Sequence, residues 1–342
     1  MPRASRQEDA PPSVSTASTG GEIAVLAGDI LAGQRRALAK AITLAESTLP
    51  AHQAQAQSLL AELLPHTGRS IRIGISGVPG VGKSTFIEVL GMRLIERGHR
   101  VAVLAVDPSS SISGGSILGD KTRMELLSQR TEAFIRPSPA SGNLGGVAEH
   151  TREALLLCEA AGFDVLIVET VGVGQSEIAV AGMTDVFVLL QLPNAGDDLQ
   201  AIKKGIMELA DLVVFNKADI DPSAAQLAAA QMRSALSMLR PASPNWQPPV
   251  LAVSAAKKQG IDDFWQVIEK FRSTLSATGE FAARRRHQAL AWMWQLIDSG
   301  LRNRFRAHPV VNARLSQLSQ AVESGDITPA AAARELLACC TD

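Results

Sequence analysis

Apolar residues near the start of the chain recur at helical spacing. Between about residues 22 and 64 they follow in steps of three and four, which predicts amphipathic helices. Pro50 is expected to interrupt this pattern, and the Pro- and Gly-containing residues 65–68 to end it. The polar residues 1–21 lack such spacing and are expected to form a disordered tail. The pattern therefore predicts an N-terminal helical extension over residues 22–68.

The pattern then changes to short apolar runs that alternate with helical segments. The runs predict buried strands, and they are IRIGIS (71–76), VAVLAV (101–106), AFIRP (133–137), FDVLIV (163–168), VFVLLQ (186–191), LVVFN (212–216) and PVLAVS (249–254). Helical patterns between them occupy residues 84–98, 147–161 and 222–239. This alternation predicts an α/β domain over residues 69–276, with a doubly wound, mostly parallel sheet.

Residues 277–342 are helical in pattern again. Trp292, Leu296 and Leu301 suggest an apolar stripe, whereas the arginines of RRR (284–286) are interpreted as a solvated helix face. The sequence therefore predicts helical extensions at both ends of the α/β domain.

Composition narrows the class of protein. With 342 residues, 46 % of them apolar, the chain can bury a full core. A net charge of −1 argues against a nucleic-acid-binding protein, which usually carries a basic excess. No apolar run approaches the roughly 18 residues of a membrane span. The three cysteines, Cys158 and the adjacent Cys339 and Cys340, form no CxxC motif, so a reducing, cytoplasmic compartment and no cysteine metal site are expected.

The strongest motif is GVPGVGKST, which matches the phosphate-binding P-loop pattern between a predicted strand and a predicted helix. Its backbone N–H groups and the start of the following helix would surround phosphate oxygens. Lys83 would reach the β- and γ-phosphates, and the Ser84 hydroxyl would bind Mg²⁺. The phosphate-binding residues are then Gly77, Val78, Pro79, Gly80, Val81, Gly82, Lys83, Ser84 and Thr85.

A second motif, NKAD, ends the strand LVVFN, where the ligand crevice of an open α/β sheet lies. Asp219 can accept two hydrogen bonds from guanine, and adenine lacks that pair of donors. Lys217 would lie over the base, and Asn216 would join this loop to the P-loop. After the last predicted strand, Ser254 and Ala255 would complete a guanine site.

Three carboxylates follow predicted strands on the same edge as the P-loop. Asp107 follows VAVLAV, Glu169 follows FDVLIV, and Asp120 comes after a Ser- and Gly-rich stretch. Together with Ser84 they could surround one Mg²⁺, which takes only one or two direct carboxylates. Alternatively, Asp107 is a turn residue before Pro108 and Asp120 is a helix N-cap.

The segment QLPNAGDDLQAIKKGIMELAD (191–211) leaves a predicted strand through a Pro- and Gly-containing loop. On physical grounds alone it is best interpreted as a loop followed by a capped helix.

The motifs together with ETVGVGQSE and GGSILGDKTRM resemble the MeaB/ArgK family over about residues 22–340. These proteins are G-protein chaperones of adenosylcobalamin-dependent acyl-CoA mutases such as methylmalonyl-CoA mutase. The resemblance implies a SIMIBI-class P-loop GTPase, usually a homodimer, with GTP/GDP and Mg²⁺ as ligands. It also implies that residues 277–342 are a dimerisation arm.

The resemblance assigns roles to residues that motif reasoning left open. Lys83, Asp107, Asp120 and Glu169 fall on its catalytic and Mg²⁺-binding positions. Residues 107–123 and 169–181 would be the first two switch segments. Residues 191–204, including Asp197, Asp198 and Lys203, would be a third switch that signals to the mutase. Gln175 of the second switch is also expected to respond to the partner.

Many P-loop hydrolases position water with a glutamine just after the glycine of the second switch, but here Val173 follows Gly172. Gln175 is the nearest glutamine. Slow intrinsic hydrolysis, on the order of minutes per turnover or slower, is therefore expected until a partner binds.

Two other classes stay open at this point. A nickel-insertion GTPase would need Cys or His ligands near the nucleotide, and an ATP-using kinase would use the same P-loop. The sequence does not identify which acyl-CoA mutase would be the client.

Overall fold

A computed structural model describes residues 16–106, 124–137, 144–170, 176–193, 204–239 and 241–339 of the chain. These residues form two compact units that divide between Phe281 and Ala282.

A seven-stranded sheet forms the centre of the first unit. Its strands are β1 (Ile71–Gly77), β2 (Val101–Val106), β3 (Ala133–Arg136), β4 (Val165–Thr170), β5 (Val186–Gln191), β6 (Leu212–Phe215) and β7 (Val250–Ala252). All neighbouring strands are parallel, in the order β3-β2-β4-β1-β5-β6-β7. The predicted doubly wound parallel sheet is thus confirmed, and its reversal of strand order at β1 opens a ligand crevice at the carboxyl edge.

Helices cover both faces of this sheet. In the first unit they are α1 (Thr16–Leu31), α2 (Arg35–Ala45), α3 (Pro50–Leu63), α4 (Lys83–Glu96), α5 (Glu125–Ser128), α6 (Leu144–Ala160), α7 (Ser176–Ala181), α8 (Lys204–Leu209), α9 (Pro222–Ser237) and α10 (Ile261–Ala277). One apolar cluster joins α4 and α10 to the sheet, and a second joins α1–α3 and α6 to the other face. Strands β2, β4 and β5 are consequently buried along their whole length, as both-face coverage requires.

The N-terminal helices pack on the sheet through α6. Helix α3 begins at Pro50, whose fixed φ suits the first position of a helix. Helix α1 begins at Thr16, inside the segment predicted as a tail. Its polar start is continuous with apolar residues such as Ala27 and Ile30, which are fully buried, and packing of that kind extends helices into sequences of poor propensity.

The second unit contains most of α11 (Glu280–Ala307), together with α12 (Pro309–Glu323) and α13 (Pro329–Ala338). Val311 and Leu318 of α12 and Ala332 of α13 are buried. Arg314 forms an ion pair with Glu335 across α12 and α13. Helix α13 is capped by Thr328, whose hydroxyl accepts from Ala331 N. Helical C-terminal residues were expected, and these three helices confirm that.

Candidate nucleotide site

The P-loop motif lies between β1 and α4, at the carboxyl edge of the sheet. Strand β1 ends at Gly77, and α4 begins at Lys83. Gly80 and Gly82 have φ values of 80° and 90°, which favour glycine. A Cβ at Gly82 would also lie 2.9 Å from Asn216 Nδ2. The loop therefore needs glycine for its backbone conformation and for its closeness to the next loop.

The P-loop lysine folds across its own loop. Lys83 Nζ donates to the carbonyl of Gly77 at 2.7 Å and lies 3.4 Å from that of Val78. Val81 is fully buried in the core below and anchors the loop. This arrangement places an ammonium group at the mouth of a loop whose following helix favours anions, which suits phosphate binding.

A carboxylate and a hydroxyl meet beside the P-loop. Ser84 Oγ donates to Glu169 Oε1 at 3.3 Å, and Glu169 is 4 % exposed. Pairing of β4 with both neighbours holds Glu169 opposite Ile75 of β1 and Ala105 of β2. Hydroxyl and carboxylate oxygens are the ligands that Mg²⁺ prefers, so this pair fits that ion.

The NKAD loop is tied to the P-loop by its asparagine. Asn216 Nδ2 donates to the carbonyl of Val81 at 2.9 Å, and Asn216 Oδ1 accepts from Ala255 N at 3.1 Å. Asn216 is 2 % exposed, so both bonds are shielded from water. One buried amide therefore joins the P-loop to the NKAD loop and to the loop after β7.

The residues after Asn216 shape the NKAD loop and its contacts with the residues after β7. Lys217 has a φ of 62°, and its Nζ donates to the carbonyl of Gly80 at 2.8 Å. Ala218 N donates to the carbonyl of Val253, and Asp219 is half-buried. Ser254 is buried, and its hydroxyl accepts from Lys257 N at 3.1 Å. The loop directly before Asp219 is thus held by hydrogen bonds to the P-loop and to the residues after β7.

Six predicted site residues lie outside the described part of the chain: Asp107, Asp120, Gln175, Asp197, Asp198 and Lys203. Asp107 directly follows Val106, which pairs with Thr170 next to Glu169. The P-loop, Ser84, Glu169, Asn216, Lys217, Asp219, Ser254 and Ala255 belong to loops, strand ends and the first turn of α4 at one edge of the sheet.

Sequence reasoning missed a buried polar group beside the site. Thr170 Oγ1 donates to Ser76 Oγ at 3.0 Å, and Gln191 ends β5 with 2 % exposure. Ser176, at the start of α7, is also buried. A signal existed, since a polar residue ends each of the apolar runs of β4 and β5.

Metal ligands and membrane-spanning helices are the features that other functional classes would need. No group of three or more His, Cys, Asp or Glu side chains within the described ranges could hold a metal ion. Cys158 is fully buried, and burial raises the pKa of its thiol, so it is a poor metal ligand. Among the described helices none is long and apolar enough to cross a membrane.

Comparison with known proteins agrees with this geometry. The sequence model of the family described as "Methylmalonyl Co-A mutase-associated GTPase MeaB" matches residues 38–310. The GTPase ArgK of Escherichia coli is 48 % identical over 305 residues, covering 89 % of this chain and 92 % of ArgK. The methylmalonic aciduria type A homolog of Mus musculus is 48 % identical over 319 residues, covering 90 % and 77 % of the two chains.

A solved structure supports the same assignment. The crystal structure titled "LAO/AO transport system kinase" shares 39 % identity with a TM-score of 0.72, and the match covers 95 % of this chain and 98 % of that one. The family match, the relatives and the P-loop site agree, and the chain belongs to the MeaB family of P-loop GTPases.

Proposed function

We propose that this GTPase is a nucleotide-switched chaperone that gates the loading or repair of adenosylcobalamin in an acyl-CoA mutase of the methylmalonyl-CoA mutase type. The observation that carries the proposal is the match over residues 38–310 to a family described as associated with that mutase. The mouse relative, named for methylmalonic aciduria, supports the same client class.

The nucleotide site supplies the switch in this proposal. Lys83 and the P-loop hold the phosphates of GTP or GDP, while Asn216, Lys217, Asp219, Ser254 and Ala255 hold guanine. Ser84 and Glu169, which already lie 3.3 Å apart, would hold Mg²⁺ with Asp107 and Asp120. When bound, the ion would neutralise charge that develops on the phosphates during hydrolysis.

Hydrolysis is proposed to be slow until the mutase binds. Val173 has no polar group with which to orient water, and phosphoryl transfer depends mainly on positioning and charge stabilisation. Gln175, Asp197, Asp198 and Lys203 are proposed to sense the partner. Nucleotide state would then act as a signal, since GTP orders switch segments and hydrolysis releases them.

The same proposal includes a homodimer formed through α11. Four exposed apolar residues follow one another on this helix at steps of four, three and four: Leu290, Trp294, Ile297 and Leu301. This spacing is typical of a helix–helix seam. Trp292, placed on the stripe by sequence reasoning, is only partly exposed, so the seam is centred on Trp294 instead. The cytoplasm is the proposed compartment, on the grounds of cysteine usage.

Complex formation tests the client assignment. Purified protein would be mixed with an adenosylcobalamin-dependent acyl-CoA mutase from the same organism, with GDP or with a non-hydrolysable GTP analogue, and analysed by size exclusion with light scattering. The proposal predicts a complex whose stability differs between the two nucleotides. No complex with any such mutase, in either nucleotide, would contradict the client assignment and leave the GTPase assignment intact.

A further inference from the structure

Polar side chains end three neighbouring strands on one face of the sheet. Thr170 of β4, Ser76 of β1 and Gln191 of β5 are each at most 2 % exposed. Because side chains alternate along a strand, they share a face with Val168 and Leu189, two residues earlier on β4 and β5. Those two belong to the apolar clusters under α7 and α8. The apolar face thus ends in a buried polar row at the carboxyl edge.

Helix α7 brings another buried polar side chain to this row. Val180 packs against β1 so closely that a Cβ on Gly74 would lie 2.8 Å from Val180 Cγ1. Ser176 lies one turn earlier on α7, about 6 Å nearer the carboxyl edge. Ser76 lies two residues beyond Gly74, about 6.6 Å along β1 in the same direction. Ser176 is therefore level with Ser76.

The register of β5 completes the arrangement. Ser76 pairs with Leu189, and Gln191 lies two residues further on, on the same face. The carbonyl of Gln191 accepts from Asn216 N at 2.9 Å, which holds its backbone in the sheet. Ser176 and Gln191 consequently lie near the same carboxyl edge, on the face of the sheet that α7 covers.

Hydrogen bonding of the polar side chains at this edge is incomplete. Thr170 and Ser76 satisfy each other through their hydroxyls at 3.0 Å. Ser176 Oγ and Gln191 Oε1 are buried and have no hydrogen-bond partner within the described part of the chain. Native proteins rarely leave such atoms unpaired, so each exception calls for an explanation such as a functional role or a bound water. A hydroxyl donor and an amide acceptor at one level are chemically matched.

We propose that Gln191 is a positioning residue of the GTPase, whose Oε1 accepts a hydrogen bond from the Ser176 hydroxyl when GTP is bound and loses it when GDP is bound. Only six residues separate Ser176 from Glu169, which accepts a hydrogen bond from Ser84 of the P-loop. A γ-phosphate bound beside Glu169 and Ser84 would therefore act close in sequence to the first turn of α7. The bond would fasten that turn to β5, directly before the segment LPNAGDD. This inference rests on the nucleotide switch of the proposed function.

Affinities for the two nucleotides test the proposal. Gln191→Met keeps side-chain length but removes the acceptor, and Ser176→Ala removes the donor. Either variant should weaken binding of a non-hydrolysable GTP analogue about threefold to tenfold, the value of one hydrogen bond, and leave GDP affinity unchanged. The double variant should weaken it no further than a single one, because both remove the same bond.

Controls separate this role from a structural one. Ser176→Thr retains a hydroxyl and should restore discrimination, while Gln226→Met on the exposed side of α9 should change nothing. Equal losses for GTP analogue and GDP, or losses that multiply in the double variant, would overturn the proposal. Titration calorimetry of the isolated GTPase measures these affinities without any mutase. A failure here is therefore distinct from failure of the client assignment, which only mutase binding tests.

Discussion

The side-chain amide of Asn216 donates to the carbonyl of Val81 at 2.9 Å, although the two residues are 135 positions apart in the chain. The same amide accepts from Ala255 N. One side chain therefore fixes the distance between the phosphate loop and the two loops that hold the base. The binding of a nucleotide that spans these loops depends on that distance, both at the phosphates and at the base.

Asn216→Ala should accordingly weaken the binding of GTP and of GDP by similar factors. The substitution leaves the Val81 carbonyl and the Ala255 N–H buried without this partner, at about 1–3 kcal/mol each. We expect affinity for both nucleotides to fall at least tenfold and the free energy of unfolding to fall by about 2–6 kcal/mol. Calorimetry and urea denaturation measure the two effects. An effect on GTP alone would show that Asn216 acts on the phosphates rather than on loop spacing.

Asp219→Asn should change base selectivity without converting the protein to an ATPase. An amide accepts only one of guanine's two donated hydrogen bonds and presents its own N–H₂ to the other, so GTP affinity should fall at least a hundredfold. Xanthosine triphosphate has a carbonyl where guanine has its exocyclic amine. It should therefore bind the Asp219→Asn variant more tightly than it binds the wild-type protein. Competition binding with GTP, xanthosine triphosphate and ATP checks this. Unchanged GTP affinity would remove Asp219 from the site.

Glu169→Gln should separate binding from hydrolysis. Glu169 Oε1 accepts a hydrogen bond from the Ser84 hydroxyl beside the P-loop. Loss of the Glu169 charge should therefore weaken the binding of Mg²⁺ more than the binding of nucleotide. We expect single-turnover GTP hydrolysis to fall roughly a hundredfold, with GDP affinity in the absence of Mg²⁺ within about threefold of wild type. Asp262→Asn, at the exposed ion pair with Arg93, serves as a matched control. Hydrolysis at the wild-type rate would contradict the assigned role.

The protonation of His150 should make stability depend on pH. Interaction with the Glu153 carboxylate, whose Oε2 lies 3.7 Å from Nδ1, raises the pKa of His150 above its usual 6.5, and Glu149 and Glu46 act in the same direction. Because the folded value is the higher one, the stabilisation is fully present below pH 6.5. It is lost as pH rises through the folded value.

His150→Gln should therefore be less stable than wild type at pH 5.5 and similar to it at pH 8.5. Urea denaturation at several pH values in this window measures the difference between the two proteins. Glu153 of α6 also accepts a hydrogen bond from Gln57 Nε2 of α3 at 2.7 Å. The Gln57–Glu153 hydrogen bond therefore holds α6 against α3. A difference that does not vary with pH would show that the imidazole contributes by packing alone.

Trp294→Glu should abolish the proposed homodimer. It places a charge on the exposed stripe of α11, where Trp294 is 60 % exposed in the single chain. We expect a monomer by light scattering with the helical circular dichroism retained. Met238→Glu, at a residue 82 % exposed outside this stripe, should leave the mass unchanged. A wild-type monomer at high micromolar concentration would rule out the seam itself.

The sheet and the P-loop were predictable because their signals are local. Apolar runs bounded by helical patterns predicted the strands, and the strand before Gly77 with the helix from Lys83 confirmed the context of the loop. Pattern reasoning placed the start of α1 too late. Its first residues are mostly polar or glycine, and tertiary packing of later residues such as Ile30 allows the helix to start at Thr16.

The buried polar row could not be predicted in the same way. Ser76, Thr170 and Gln191 come from three strands, and only the order β4-β1-β5 makes them neighbours. Gln191 looked like the end of an apolar run, and Ser176 like an ordinary residue of a switch. Whether a polar side chain has a hydrogen-bond partner depends on atoms distant in sequence, which neither composition nor periodicity reports.

GTP turnover with and without the client mutase distinguishes a partner-controlled switch from a GTPase that acts alone. Turnover would be measured for the protein alone and with an adenosylcobalamin-dependent acyl-CoA mutase from the same organism. We expect slow turnover alone, clear acceleration by the mutase, and loss of that acceleration in Lys203→Ala with GTP affinity intact. Fast turnover without a partner, or no response to any such mutase, would contradict it.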